Sequence, residues 1–293
     1  MRAPSVHRTK DDLRAALAGP RTEGRAIALV PTMGSLHEGH LSLIDAARGR
    51  ADLVVMSLFV NPTQFGERED LGTYPRDEER DLRLAGEAGA DIVYAPAQAE
   101  VYPPGFSTFV EVEGLTDVLC GHPARRGAGH FRGVTTVVAK LLLTATPDFA
   151  YFGQKDAQQA LVIRRMVRDL DFPVKVVVMP TVREPDGLAM SSRNAYLVGE
   201  ERERATALSQ ALAAVAHAAG AGTSVAQAIE RAGVVLTDAG ITPEYLEARH
   251  ADDLSPASNF NGRPVLVAVA AQVGRTRLID NLLIAGTDQS SAD

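Results

Sequence analysis

The sequence predicts an α/β protein, a doubly wound parallel sheet followed by a smaller C-terminal α+β domain. Three observations carry this. Short, nearly continuous Val/Ile/Leu runs recur through the first 180 residues, helical segments separate them, and the composition turns Ala-rich after about residue 185. Parallel strands buried on both faces read as unbroken apolar runs, and strands alternating with helices imply crossovers rather than hairpins.

In order, RAIALVP (25–31) is a short buried strand, and a helix through HLSLIDAARG (40–49) follows it. DLVVMSLFV (52–60) is the next strand, and DEERDLRLAGEAG (77–89) is a charged amphipathic helix with Gly89 as its stop. ADIVYAP (90–96) is a strand, and VTTVVAKLLLTATP (134–147) has helical apolar spacing despite its β-branched residues. DFAYFG (148–153), ALVIRRMVRDLD (160–171) and PVKVVVMP (173–180) complete strand, helix, strand. The expectation is a Rossmann-like domain over residues 1–183. ERERATALSQALAAVAHAAGAG (201–222) and SVAQAIERAGVVLTDAG (224–240) then read as helices. PEYLEARHADDL (243–254), RPVLVAVAAQV (263–273) and RTRLIDNLLI (275–284) read as strands, the last two joined by a turn at Gly274. Together they make a smaller lid-like domain over residues 184–293, and TVREPDGLAMSSRNAYL (181–197) reads as a hinge or functional loop.

The 293 residues give ample core for one large domain or two modest ones. A net charge of −7 and a pI near 5.6 argue against a general nucleic-acid binder, although a local pocket for a small anion stays allowed. Cys120 is the only cysteine, so no intrachain disulfide can form and a reducing compartment is the natural setting. No secretory n- and h-region opens the chain, and apolar stretches such as PVLVAVAA are too short to span a bilayer. A cytoplasmic protein with neither a nucleic-acid nor a membrane partner is expected.

Ligands of open α/β sheets bind beyond the carboxyl ends of the strands. The polar segments at those ends are PTMGSLHEGH (31–40), NPTQFG (61–66), GQKDAQQ (153–159) and REPDGLAMSSRN (183–194). No G-x-x-x-x-G-K-[ST] loop occurs, and GAGHFRG (127–133) has Arg132 where a dinucleotide fingerprint needs its third glycine. HEGH is one residue short of a zinc-protease motif; His37 and His40 could chelate a metal from one helical face, but no third ligand is obviously paired with them. The stronger reading is a phosphate site. A helix N-terminus carries partial positive charge and open N–H donors, Gly34 and Gly39 permit close approach, and both imidazoles can donate to phosphate oxygens. Two helix-capping surface histidines are the plain alternative. Lys155 suits phosphate as a mobile point charge, and Asp156 suits a ribose hydroxyl or a helix cap. The hydroxyls and Arg193 of AMSSRN match triphosphate oxygens, against the alternative of a polar interdomain turn. Asn61 and Gln64 suit a substrate bearing hydroxyls and a carboxylate. GHPARRGAGHFRG (121–133) offers Arg125, Arg126, His130 and Arg132, one of which could hold a carboxylate bidentately if the segment is more than a solvated loop.

PTMGSLHEGHLSLI, FVNPTQFG, YPR, GHFRGVTTVVAKL, FGQKDAQQ and DGLAMSSRN, in this order, resemble the pantothenate synthetase (pantoate–β-alanine ligase) family of the HIGH/KMSKS-type nucleotidyltransferases, with HEGH and MSSR as the two signatures. YLEAR and TRLIDN extend the likeness almost to the end of the chain. The resemblance implies ATP-dependent joining of (R)-pantoate to β-alanine, giving pantothenate, AMP and pyrophosphate, with Mg²⁺, in a homodimer serving coenzyme A biosynthesis. It implies ATP contacts from Met33, Gly34, His37 and His40, from Gly153, Lys155 and Asp156, and from Val182, Met190, Ser191, Ser192 and Arg193. His40 matches the family's proton donor, Gln64 a contact to both acids, and Gln159 a second pantoate contact. Three positions depart from the pattern. Gln154 and Ala157 stand where the family usually has Glu and an aromatic. The arginine three residues before the family's HFRG histidine falls on Gly127, so Arg126 or Arg125 is expected to substitute for it. The acidic magnesium position leaves Asp81 as the match.

The expected chemistry is in-line attack of the pantoate carboxylate on the α-phosphorus, with His37, His40, Lys155, Arg193, Mg²⁺ and the helix N-terminus sharing the charge. Adenylyl transfer to a phosphate monoester would need a cationic acceptor site, whereas Asn61 and Gln64 suit neutral hydroxyls and a carboxylate. A tRNA synthetase relative would need a basic RNA-binding extension, and a silent nucleotide binder would have no need of His40 and Lys155.

Overall fold

The structure is a computed structural model that describes residues 3–66 and 70–286. The chain divides into two compact units, the first holding residues up to 117, 121–154 and 158–180, the second holding 118–120, 155–157 and the chain from 181 onward. On the main chain this division falls a little before the expected one at 183/184, and two short inner segments group with the second unit.

The first unit is a six-stranded, all-parallel sheet. Its strands are β1 (Ser5–His7), β2 (Ile27–Thr32), β3 (Leu53–Leu58), β4 (Ile92–Tyr94), β5 (Phe149–Gly153) and β6 (Lys175–Met179), in the order β1-β4-β3-β2-β5-β6. The helices are α1 (Lys10–Thr22), α2 (Glu38–Arg48), α3 (Glu78–Ala88), α4 (Gln98–Val101), α5 (Ala128–Ala145) and α6 (Ala157–Asp169). Side chains alternate across a strand, so Ile27 and Leu29 of β2 enter one apolar layer with Leu13, Leu17 and Met166. Ala28 and Val30 enter the opposite layer with Ile44, Met56 and Tyr151. Both faces of the sheet are thus buried, which is why the strands read as continuous apolar runs.

β1 and α1 stand outside the sequence expectation. β1 has three residues, and α1 contains Gly19 and Pro20, which read as a break. The helix holds because Thr9 caps it by accepting from the Asp12 N–H, and because Leu13 and Leu17 are completely buried. α3 ends as expected, with Gly89 left-handed at φ +102°.

The second unit contains α7 (Glu200–Ala205), α8 (Ala207–Gly220) and α9 (Val225–Asp238) with an antiparallel sheet, β7 (Pro243–His250), β8 (Val265–Val273) and β9 (Thr276–Ile284). The helix expected over 201–222 is interrupted at Thr206, whose N–H bonds the Glu203 carbonyl. Leu208, Ala211, Leu212 and Val215 of α8 share a buried cluster with Val265, Val267 and Val269 of β8. Gly274 makes the β8–β9 turn at φ +57°. Among the described residues no helix is long and apolar enough to cross a membrane.

Candidate active site

Strand order reverses at β2, which has β3 on one side and β5 on the other. In open α/β sheets such a reversal marks where ligands bind, beyond the carboxyl ends of the flanking strands, here β2 and β5. The chain leaving β2 there is Met33-Gly34-Ser35-Leu36, entering α2 at His37. Gly34 and Ser35 both have positive φ, +90° and +51°. A Cβ on Gly34 would sit 2.8 Å from both Asp81 Oδ2 and Leu58 Cδ1, so this position requires glycine.

Asp81 holds the turn in place. Its side chain is 1% exposed, and its two oxygens accept from the Ser35 and Leu36 N–H groups at 2.8 Å each. Arg80 donates to the Leu36 carbonyl at 3.1 Å, so α3 grips the turn from both polarities. Both oxygens of Asp81, the residue matched to the family's magnesium position, are thus engaged with main-chain donors and shielded from solvent. Among the described residues there is no group of three or more His, Cys, Asp or Glu that could hold a metal ion.

His37 caps α2. Its Nδ1 accepts from the Gly39 N–H at 3.2 Å, and His40 Nδ1 accepts from the His37 N–H at 3.4 Å, with the rings 4.1 Å apart. With both Nδ1 atoms acting as acceptors, each neutral ring carries its proton on Nε2. Capping thus uses Nδ1 of each ring and is compatible with donation from Nε2.

A second cluster follows β3. Asn61 is 1% exposed and its amide hydrogens go to Gln64 Oε1 at 3.0 Å and to the Gly133 carbonyl at 3.1 Å. Its oxygen accepts from Thr63 Oγ at 2.9 Å and from the Tyr102 hydroxyl at 2.8 Å. Burial pushes the Tyr102 phenol up, keeping it a donor. Asn61, expected to touch substrate, also orients Gln64, whose amide reaches Met33 Sδ at 3.2 Å. His130 Nδ1 lies 2.7 Å from the Gln64 carbonyl and must donate to it, while Nε2 lies 3.2 Å from Arg126 Nη1. Arg126 is thus linked through His130 to the Gln64 turn. On α6, Gln158 is buried and donates to the Leu115 carbonyl, whereas Gln159 is partly exposed. Tyr102, Thr63 and Gly133 were not singled out from sequence, and no local signal marks them.

Gly153 ends β5, and Gln154–Asp156 form a 3₁₀ turn that carries Lys155, partly exposed, and Asp156, exposed. In the second unit, the Met190 N–H bonds the Val182 carbonyl at 3.0 Å, which brings those two expected residues together across a small loop. Ser191 caps the turn Ser192–Tyr196 by accepting from the Arg193 N–H. Glu184 accepts from Asn194 and Arg202, and Arg202 also pairs with Asp186 at 2.6 Å, holding that carboxyl below its usual range.

An α/β sheet with an imidazole pair capping a helix at its switch point, beside an amide cluster suited to a polar acid, defines a nucleotide-using enzyme class. The family model for pantoate-β-alanine ligase matches residues 5–283. A pantothenate synthetase of Moorella thermoacetica is 54% identical over 280 residues, covering 94% of this chain and 97% of that protein. One of Myxococcus xanthus is 52% identical, covering 98% and 99%. The crystal structure of pantothenate synthetase from Thermus thermophilus superposes with a TM-score of 0.90 at 49% identity, covering 96% of this chain and 99% of that one. The pantoate-β-alanine ligase from Francisella tularensis, complexed with β,γ-ATP and β-alanine, gives 0.80 at 31% identity, covering 96% and 98%. The chain belongs to the pantoate-β-alanine ligase family, and is an ATP-dependent ligase of pantothenate biosynthesis that joins pantoate to β-alanine.

Proposed function

We propose that the ligation runs through a pantoyl adenylate. A carboxylate accepts an amine poorly because oxide would have to leave; transferring AMP to it provides a good leaving group. In the first step a carboxylate oxygen of (R)-pantoate bonds to the α-phosphorus of ATP as the bond to pyrophosphate breaks. In the second, the neutral amine of β-alanine bonds to the acyl carbon, sheds a proton, and AMP departs.

The first step brings a carboxylate up to the polyanionic triphosphate, so the chain must supply geometry and positive charge. His37 and His40 offer Nε2–H donors at the α2 N-terminus, with His40 as proton donor to the departing phosphate. Lys155 and Arg193 meet the phosphates, with contacts from Met33, Gly34, Gly153, Asp156, Val182, Met190, Ser191 and Ser192. Gln64 and Gln159 hold pantoate, Gln64 also meets β-alanine, and Arg126 holds a carboxylate bidentately. Mg²⁺ would arrive with the ATP phosphates rather than in a protein cage. The observation that carries the reading is the paired Nδ1 capping of His37 and His40 at the start of α2, which puts the proton of each neutral ring on Nε2.

His40→Ala should lower turnover by about two to three orders of magnitude with the fold retained. The assay is ATP–pyrophosphate exchange, which an acyl adenylate supports with pantoate present and β-alanine absent. Exchange that requires β-alanine would rule out the intermediate, and an unchanged rate in the variant would remove His40 from the step. We further propose a cytoplasmic homodimer. The single, buried Cys120 is compatible with a reducing compartment, and light scattering of the purified chain tests the dimer.

A further inference from the structure

Two adjacent residues of β9 are buried and polar, Asp280 at 3% exposure and Asn281 at 5%. Neighbouring residues of a strand project to opposite faces, so one point on β9 can hold two separate segments. Asn281 Nδ2 donates to the main-chain carbonyl of Lys155 at 2.9 Å. Asp280 takes the Arg183 guanidinium in a two-pronged ion pair, Oδ2 to Nη1 at 2.6 Å and Oδ1 to Nη2 at 3.0 Å. Asp280 Oδ1 also accepts from the Asn281 N–H at 2.7 Å, so the two residues brace each other. Arg183 in turn donates to the Gly187 carbonyl at 3.0 Å, tying the pair to the loop that leads into Met190–Arg193.

Stability alone does not call for this arrangement. A buried ion pair is often matched or bettered by apolar residues of similar volume. What this pair fixes is position, holding the backbone of one cationic segment and the root of another from a single rigid strand.

We infer that Asp280 and Asn281 are positioning residues that set Lys155 and the 182–193 segment for the nucleotide. The inference rests on the phosphate role proposed for Lys155, and the test separates the two. In the full chain, pyrophosphate exchange with pantoate is compared for Asn281→Ala, Lys155→Ala and the double variant. Asn281→Ala should slow exchange roughly tenfold, since small misplacement of a charge-stabilising group is costly. Because it acts through Lys155, it should add nothing once Lys155 is alanine. An undiminished rate in Asn281→Ala, or an equal loss on both backgrounds, overturns the inference and leaves the Lys155 role standing. An undiminished rate in Lys155→Ala overturns that role itself, and the inference with it.

The second arm replaces the ion pair by an apolar one, Arg183→Met with Asp280→Leu. This variant should fold cooperatively, with the KM for ATP raised roughly tenfold and the KM for pantoate within about twofold. An unchanged KM for ATP, or equal changes for both substrates, overturns the loop-positioning role.

Discussion

At the scale of single residues, the shape of the site depends on side chains that hold the main chain. Asp81 illustrates this: its two carboxylate oxygens each hold one main-chain donor of a turn in which two consecutive residues have positive φ. Asp81→Asn keeps the shape but turns one acceptor into a donor facing an N–H. A buried donor without a partner costs about 1–3 kcal/mol, so the first unit should lose stability by that order in urea titration. The turn also loses one of its anchors, so the imidazole pair should be less well placed and pyrophosphate exchange should fall further than the folded fraction accounts for. A variant with normal stability and normal exchange would show that the turn holds itself. Sequence could not reveal this role. The acid of DEERDL looks like any first-turn carboxylate, and only folding brings it over a loop 45 residues earlier.

At the scale of elements, legibility followed periodicity. The strands β2 to β6 and helices α2, α3, α5 and α6 were readable because each must bury a continuous or regularly spaced apolar face. α1 was not, because Gly19 and Pro20 signal a break that burial of Leu13 and Leu17 outweighs. Contacts between elements left no trace in the pattern either. Gly133 stands within α5, where glycine costs about 1 kcal/mol relative to alanine, so propensity alone would favour replacing it. Packing says otherwise: an added Cβ would meet the Thr63 carbonyl carbon at 2.5 Å and the Gln64 nitrogen at 2.7 Å. Both neighbours are main chain and cannot rotate away. Gly133→Ala should therefore displace the turn bearing Asn61 and Gln64, raising the KM for pantoate roughly tenfold and that for ATP much less. Parallel increases in both constants would contradict this assignment of the turn.

At the scale of the whole molecule, the strand-end rule made the candidate site legible. Four polar segments were chosen solely because they follow strands, and β2 and β5 do flank the point where strand order reverses. The same burial that builds this sheet gives the chain an alkaline limit. The phenols of Tyr94, Tyr102 and Tyr151, all in the first unit, are raised by burial, Tyr94 to about 12. A group whose folded value lies above its unfolded value of 10.0 contributes its full stability below pH 10, and that contribution is lost as pH rises towards 12. The second unit has the opposite dependence. Asp186 is depressed by hydrogen bonding to Arg202 and Asp252 by hydrogen bonding to Arg263, so their contributions persist above the ordinary carboxylate value and fade as pH falls through the depressed ones. These carboxylates are well exposed, so the acid limb should be shallow, whereas the buried phenol should make the alkaline limb steep. Calorimetric melting between pH 9 and 12 should show the first unit's transition falling steadily. Tyr94→Phe, which cannot ionise, should flatten that fall while leaving the midpoint near neutrality almost unchanged. If the substituted chain declines as steeply as the original, burial of this phenol does not set the alkaline limit.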